Sequence, residues 1–225
     1  MTQKTQEPQY QKMVEDRDEN GLESLGLRAS LSWREDPKHL VFRLARYKFV
    51  AKMLSGLDSA LEIGCGDAFC TRLVQQEVKN VTASDFDPVF IKEVEERTHP
   101  DWKLDLKVIN PLVSRVDGAY DAVFALDVLE HIPEEQEALF LENIFSSLNL
   151  TGVAIIGMPT LESQAHASYQ SKIGHVNCKS SPNLRALMEQ FFNNVFMFSM
   201  NDEVVHTGFH KMAHYIFAVG CNAKK

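Results

Sequence analysis

The sequence predicts an α/β fold: an open twisted sheet, mostly parallel with an antiparallel last strand, and helices on both faces. Three observations predict it. Short apolar strands alternate with amphipathic helices from Asp36 onward, the first strand closes on a glycine-rich turn, and the last third sets two strands in close succession with no helix between them. A chain of 225 residues, 44% hydrophobic and 24% charged, suffices for one sizeable core.

Residues 1–35 are polar and mixed in charge, with Gly21 and Gly26 and little periodicity; they are read as an N-terminal segment, a possible lid, on a domain spanning 36–225. Asp36 can cap and Pro37 suits the first position of a helix in which Leu40, Leu44, Tyr47, Ala51 and Leu54 recur at helical spacing until Gly56. The chain then alternates. Residues 58–63 (DSALEI) read as a strand, 67–78 as a helix, 80–84 as a strand, and 87–97 as a helix capped by Asp87 with Pro88 in its first turn. Strands fit 104–109 and 120–125, Pro133 opens a helix whose Leu141, Ile144, Phe145 and Leu148 share one face, and Gly152 turns into the strand VAIIGM. Ser181 and Pro182 begin a last helix. The strands VFMFSM and AHYIFAV follow one another closely with no helix between them, so they cannot both be parallel neighbours and an antiparallel pair at the sheet's edge is expected.

With 23 Lys+Arg against 31 Asp+Glu the net charge is -8, which gives no general attraction for nucleic-acid phosphates or anionic lipid surfaces. No apolar run approaches the ~20 residues that span a bilayer, and the start MTQKTQEPQY lacks the apolar core of a signal peptide. A cytoplasmic protein with a small-molecule partner, no nucleic acid and no membrane is expected, as a monomer or homodimer. Cys65, Cys70, Cys178 and Cys221 are too few and too scattered for a disulfide scaffold or a zinc CxxC pair and read as reduced thiols.

The densest chemical signal is LEIGCGDAF, residues 61–69. Gly64 and Gly66 let the backbone approach a ligand at the carboxyl end of the first strand, and the following helix offers unpaired N–H groups. A dinucleotide fingerprint wants a third glycine where Phe69 stands. Glu62, two residues before the first glycine, repels a pyrophosphate but can hold a cationic ligand or order its water, and Cys65 reads as a small side chain tucked against the turn. Asp85, at the end of the second strand, can accept both hydroxyls of a ribose. A positively charged adenosine ligand is the reading.

On these residues the chain resembles the class I S-adenosylmethionine-dependent methyltransferases, whose sheet is Rossmann-like, over about residues 38–221. LEIGCGDAF looks like that family's first motif, with Ala68 where a third glycine is often found; SDFDP looks like the second, and YDAVFALDVLEHI and LNLTGVAIIGMPT look like the fourth strand and the segment after it. The resemblance implies S-adenosyl-L-methionine as cofactor, Gly64 and Gly66 against its methionine part, Asp85 on the ribose, Phe86 against adenine and Asn110 on the adenine amino group. Pro111 departs from the pattern because it has no N–H to offer the ring. Leu126 and Asp127 match positions lining the space between methionine and acceptor.

His131, in LDVLEHI, and His175, in the polar connection after the fifth strand, are the candidate bases, and Tyr169 in that connection is a candidate substrate contact. A hydroxyl acceptor needs its proton removed as the new bond forms, and neutral His suits that task. O-methylation of a sugar or specialised metabolite is therefore expected. Methylation of an amine or a macromolecule, an NAD-binding oxidoreductase and a noncatalytic adenosyl-ligand binder are the alternatives. No metal site is assigned: His206, His210 and His214 fall at helical spacing in a segment that reads as strand, and a divalent ion beside Asp127 is left to a chelator test.

Overall fold

The computed structural model describes residues 3–224, apart from the side chain of Gln170. The polar N-terminal stretch forms two helices, α1 (Gln11–Asn20) and α2 (Leu27–Glu35). Next comes α3 (Pro37–Met53), started as expected by Asp36, whose carboxylate accepts from Lys38 N, and by Pro37. The alternating region holds β1 (Ser59–Ile63), α4 (Thr71–Val74), β2 (Asn80–Asp85), α5 (Pro88–Arg97), β3 (Asp105–Val108), β4 (Tyr120–Leu126), α6 (Glu137–Phe145) and β5 (Leu148–Pro159). Asp87 caps α5 through Val89 N. The last third adds α7 (Tyr169–Gly174), α8 (Ser181–Met188), β6 (Phe192–Asn201), β7 (Val204–His206) and β8 (Tyr215–Ala223).

Eight strands form one sheet in the order β3-β2-β1-β4-β5-β8-β6-β7. The first five in space are parallel, and β8 runs antiparallel to both β5 and β6. The reversed last strand is therefore present. It is not at the edge: β8 inserts between β5 and β6, and the short hairpin strand β7 takes the rim. Spacing along the chain told which strands must be antiparallel but not which of them the sheet would accept first.

Alternation along the strands divides the core into two layers. Val123 and Ala125 of β4, Ala154 and Ile156 of β5, and Ile216 and Ala218 of β8 pack with Phe140, Leu141 and Ile144 of α6 and Leu184, Leu187 and Met188 of α8. Ala122, Phe124, Ile155 and Phe217 face the other way, onto Tyr47, Val50 and Ala51 of α3 and onto Val74. Both faces of the central strands are covered, which is what allows β4 to be apolar almost throughout.

The helix expected over 67–78 shrinks to the four residues of α4. Gly66 and Ala68 both take positive φ, +54° and +48°, and a left-handed backbone cannot join a right-handed helix. Asp67 between them is occupied elsewhere, accepting from Ala29 N of α2 at 2.6 Å.

Candidate active site

The carboxyl ends of β1, β2, β4 and β5 lie side by side in the sheet, and the turns leaving them carry most of the polar groups singled out in the sequence. The first turn is tied to the next strand: Gly64 N and Cys65 N both donate to Ser84 O, at 2.8 and 2.9 Å. Gly64 adopts φ +76°, and a Cβ there would run into Val128 Cγ2, whereas a Cβ on Gly66 would meet no atom within 4 Å. One glycine serves packing and the other leaves an open approach. Gly64→Ala is accordingly expected to lower stability by about 2–3 kcal/mol, from left-handed strain plus overpacking. Gly66→Ala, which carries the strain alone, is expected to cost about 1 kcal/mol. Urea unfolding of both variants checks the contrast; equal losses would contradict it.

Asp85 is buried, and its two oxygens accept from Gly66 N (2.9 Å) and Asp87 N (3.0 Å), so each keeps a further lone pair. Phe86 beside it exposes its ring, at 67%. Asn110 follows β3 and is exposed, its Oδ1 accepting from Leu112 N at 3.0 Å, while Leu126 is buried at the end of β4. Cys65 is buried, and desolvation followed by Glu62 and Asp85 pushes its thiol far above its ordinary value, so it stays protonated. Glu62 does not reach open space. Tyr47 donates to Oε1 at 2.5 Å and Thr71 to Oε2 at 2.6 Å, joining α3, β1 and α4 through one carboxylate. Burial pushes Glu62 up to about 7, with these two donors opposing the rise. The direct hold on a cationic ligand expected of Glu62 gives way to this internal tie.

The turn after β4 builds the other side of the site. Asp127 takes φ +56°, a conformation uncommon outside glycine, and its N–H donates to Gly157 O at 3.0 Å. Arg46 of α3 reaches both Asp127 oxygens through Nη1 at 2.9 Å and stacks over the Tyr215 ring at 3.9 Å, while Arg28 of α2 lies 3.8 Å from Oδ2. Burial opposes ionisation of Asp127, but Arg46 and Arg28 outweigh it and hold the carboxyl below the usual carboxylate range.

Three residues further on, Glu130 is fully buried and neither carboxylate oxygen has a hydrogen-bond partner. Burial, then the charge of Asp127, pushes it well above the usual range. The Glu130 backbone carbonyl accepts from Val176 N (2.8 Å) and Asn177 N (3.0 Å), and His131 Nδ1 donates to Gly174 O at 2.8 Å. These bonds bring His175 beside His131, with ring centroids 5.2 Å apart. His175 Nδ1 lies 2.9 Å from Gln164 Oε1, and burial, then His131, lowers its pKa. A cleft of about 600 Å³ opens over this group, bounded by Arg28 and Arg46 on one side and by Gln164 and His175 on the other.

The structure thus gathers Asp127, His131 and His175 around one cleft and sets Gly66, Asp85 and Phe86 around the neighbouring turn. Tyr169 is exposed at 76%, and His206 pairs with Asn201 on β7. Among the described residues the only group of three or more potential metal-ligand side chains is Glu130, His131 and His175. Arg46 and Gln164 escaped the sequence reading. Arg46 left little signal, because α3 carries Lys38, Arg43, Lys48 and Lys52 besides it.

Residues 61–154 match a family model described as a methyltransferase domain. A search of curated proteins returns no match. Among solved structures, the chain is similar to the N-methyltransferase NodS of Bradyrhizobium japonicum in complex with S-adenosyl-L-homocysteine, at 18% identity and TM-score 0.60 over 84% of this chain and 91% of that one. A DhpI–SAH complex aligns at 16% identity and TM-score 0.63, covering 88% and 93%, and the methyltransferase domain of bacterial CtHen1-C at 15% and 0.65, covering 82% and 99%. At such identities these structures speak for the fold alone. Sheet order, glycine turn and the methyltransferase-domain match over residues 61–154 agree with the resemblance to the class I S-adenosylmethionine-dependent methyltransferases. The chain's acceptor is a separate question, which the fold does not answer.

Proposed function

We propose that the chain transfers the methyl group of S-adenosyl-L-methionine to a hydroxyl of a small molecule, a sugar or other specialised metabolite, in the cytoplasm. The observation that carries this reading is the juxtaposition of Glu130, His131 and His175 at the cleft, one turn from the place where Val128 packs on Gly64. An amine acceptor would leave that cluster without a task, and the net charge of -8 gives a nucleic acid little purchase.

The residues present fit the donor. Gly66 leaves its approach open, Asp85 keeps lone pairs for the two ribose hydroxyls, and Phe86 offers a ring face to adenine. Asn110 lies at the next strand end for the adenine amino group, with Gly64, Cys65 and Leu126 forming the wall toward the methionine part and Glu62 holding that wall from behind. The donor supplies an already activated methyl on a sulfonium, so the protein's work is alignment, exclusion of water and handling of one proton. α2 and the connection carrying α7 border the cleft as covers, which is the lid role proposed for residues 1–35 and for the segment around Tyr169.

His175 donates Nδ1–H to Gln164, which leaves its Nε2 lone pair free to act on the acceptor hydroxyl; His131, fixed in the same tautomer by Gly174 O, offers a second. Because burial and His131 lower the His175 pKa, the neutral ring persists to lower pH than an ordinary imidazole. The kcat/KM profile is therefore expected to stay flat through neutrality and to fall only below 6.5 on the acid side. An acid limb centred above that value would contradict the assignment. Methyl-labelled donor offered with panels of hydroxyl and amine acceptors tests the reaction itself. Label on oxygen is expected, with His175→Ala losing about 100-fold or more in kcat at unchanged S-adenosyl-L-homocysteine affinity; label confined to nitrogen would overturn it.

A further inference from the structure

We propose that Glu130, His131 and His175 form a three-ligand site for a divalent transition-metal ion, which polarises the acceptor hydroxyl. One potential ligand atom from each of the three side chains lies within 4.8 Å of the other two. Glu130 is the strongest argument. A fully buried carboxylate with neither oxygen hydrogen-bonded is costly to maintain, and a cation against it removes the cost.

The surroundings are built for ligation as well. Each histidine donates Nδ1–H to a carbonyl oxygen, His131 to Gly174 and His175 to Gln164, which fixes both tautomers with Nε2 free. Backbone bonds from Val176 N and Asn177 N to Glu130 O lock the His175 segment against the turn carrying the other two residues. Two guanidinium groups stand nearby, Arg46 paired with Asp127 and Arg28 half-exposed on the same carboxylate, yet neither hydrogen-bonds to Glu130. Two imidazoles and one carboxylate suit ions from Mn²⁺ to Zn²⁺; Mg²⁺ and Ca²⁺ prefer all-oxygen shells. Three protein ligands leave positions open for the acceptor oxygen.

The role of the ion rests on the methyl-transfer reading above, whereas its binding does not. In that role the metal-bound hydroxyl loses its proton to solvent, the oxygen attacks the methyl carbon, the carbon–sulfur bond breaks, and its electron pair stays on sulfur as a neutral thioether. With the ion bound, the Nε2 lone pairs described above as bases become its ligands, and His175 takes the acceptor proton itself only in metal-free protein.

The test is titration of chelator-treated full-length protein with Co²⁺ alone, followed by calorimetry and visible absorption, with S-adenosyl-L-homocysteine affinity measured separately. One equivalent is expected to bind. The near-isosteric Glu130→Gln is expected to weaken it about 100-fold or more, and Gln164→Ala, which spares all three ligands but frees the His175 ring, about 10-fold or more. Both variants are expected to keep their S-adenosyl-L-homocysteine affinity. Co²⁺ binding that is absent, or that Glu130→Gln does not change, overturns the site. Undiminished methyl transfer by metal-free protein overturns the role of the ion and returns His175 to direct base. Glu130-dependent Co²⁺ binding without any S-adenosyl-L-homocysteine binding upholds the site and removes the methyltransferase reading.

Discussion

Replacing Arg46 by Met is expected to lower the unfolding free energy by about 3–5 kcal/mol, the range for removing one partner of a buried ion pair. The side chains of Arg46 and Asp127 are only 11% and 9% exposed, and a single guanidinium nitrogen sits 2.9 Å from both carboxylate oxygens. Without it Asp127 remains buried, with only the half-exposed Arg28 3.8 Å away to compensate its charge. Adding Asp127→Asn to Arg46→Met is expected to restore most of the loss, since the uncompensated charge disappears and Asn tolerates the left-handed backbone at that position. Urea unfolding of the single and double variants measures both effects; a single-variant loss under about 1 kcal/mol would refute the buried pair as a stabilising element. The difference between wild type and Arg46→Met is also expected to depend on pH. Asp127 is held below its ordinary value of 3.8, so the pair's stabilisation is complete above that value and is lost as pH falls through the lower folded-state pKa.

That pair also marks where sequence reading reached its limit. Asp127 was legible because a carboxylate just past the fourth strand of an α/β sheet stands where ligands bind. Arg46 was not, because helical periodicity reports which face of α3 is buried and says nothing of a charge there that must meet a partner 81 residues away. Glu130, His131 and His175 show the same limit from another side. Each histidine was readable as a candidate by itself, but their convergence is produced by backbone bonds from Val176 N and Asn177 N to Glu130 O and by the His131 ring on Gly174 O, and main-chain partners leave no residue-type signature. Local signals fared better where the chemistry is local. Asp36 with Pro37 and Asp87 with Pro88 start α3 and α5 as their cap patterns require. The expected helix over 67–78 failed for an equally local reason, since nothing in the residue type announces that Ala68 is left-handed.

Asp85→Ala is expected to weaken S-adenosyl-L-homocysteine binding about 100-fold, or roughly 3 kcal/mol, because hydrogen bonds to a charged group contribute about 1.5–3 kcal/mol each and the proposed ribose contact uses two. The demethylated product is the better probe, as it has the same ribose and carries no sulfonium to interact with distant carboxylates. Part of any loss can be indirect: Asp85 also accepts from Gly66 N and Asp87 N, so its removal leaves two backbone donors of the glycine turn without their partner. Asp85→Asn separates the two roles. Its amide retains one acceptor oxygen for a single backbone donor and loses the charge-assisted part of the ribose contact. If ribose recognition is the main function, Asn loses nearly as much affinity as Ala while unfolding at higher urea than Ala does. If support of the turn is the main function, affinity and stability fall together, and Asn lies midway in both. Affinity within a few-fold of wild type in both variants would remove Asp85 from the donor site, and with it the assignment of the turn after β1 as the place where the adenosyl group is held.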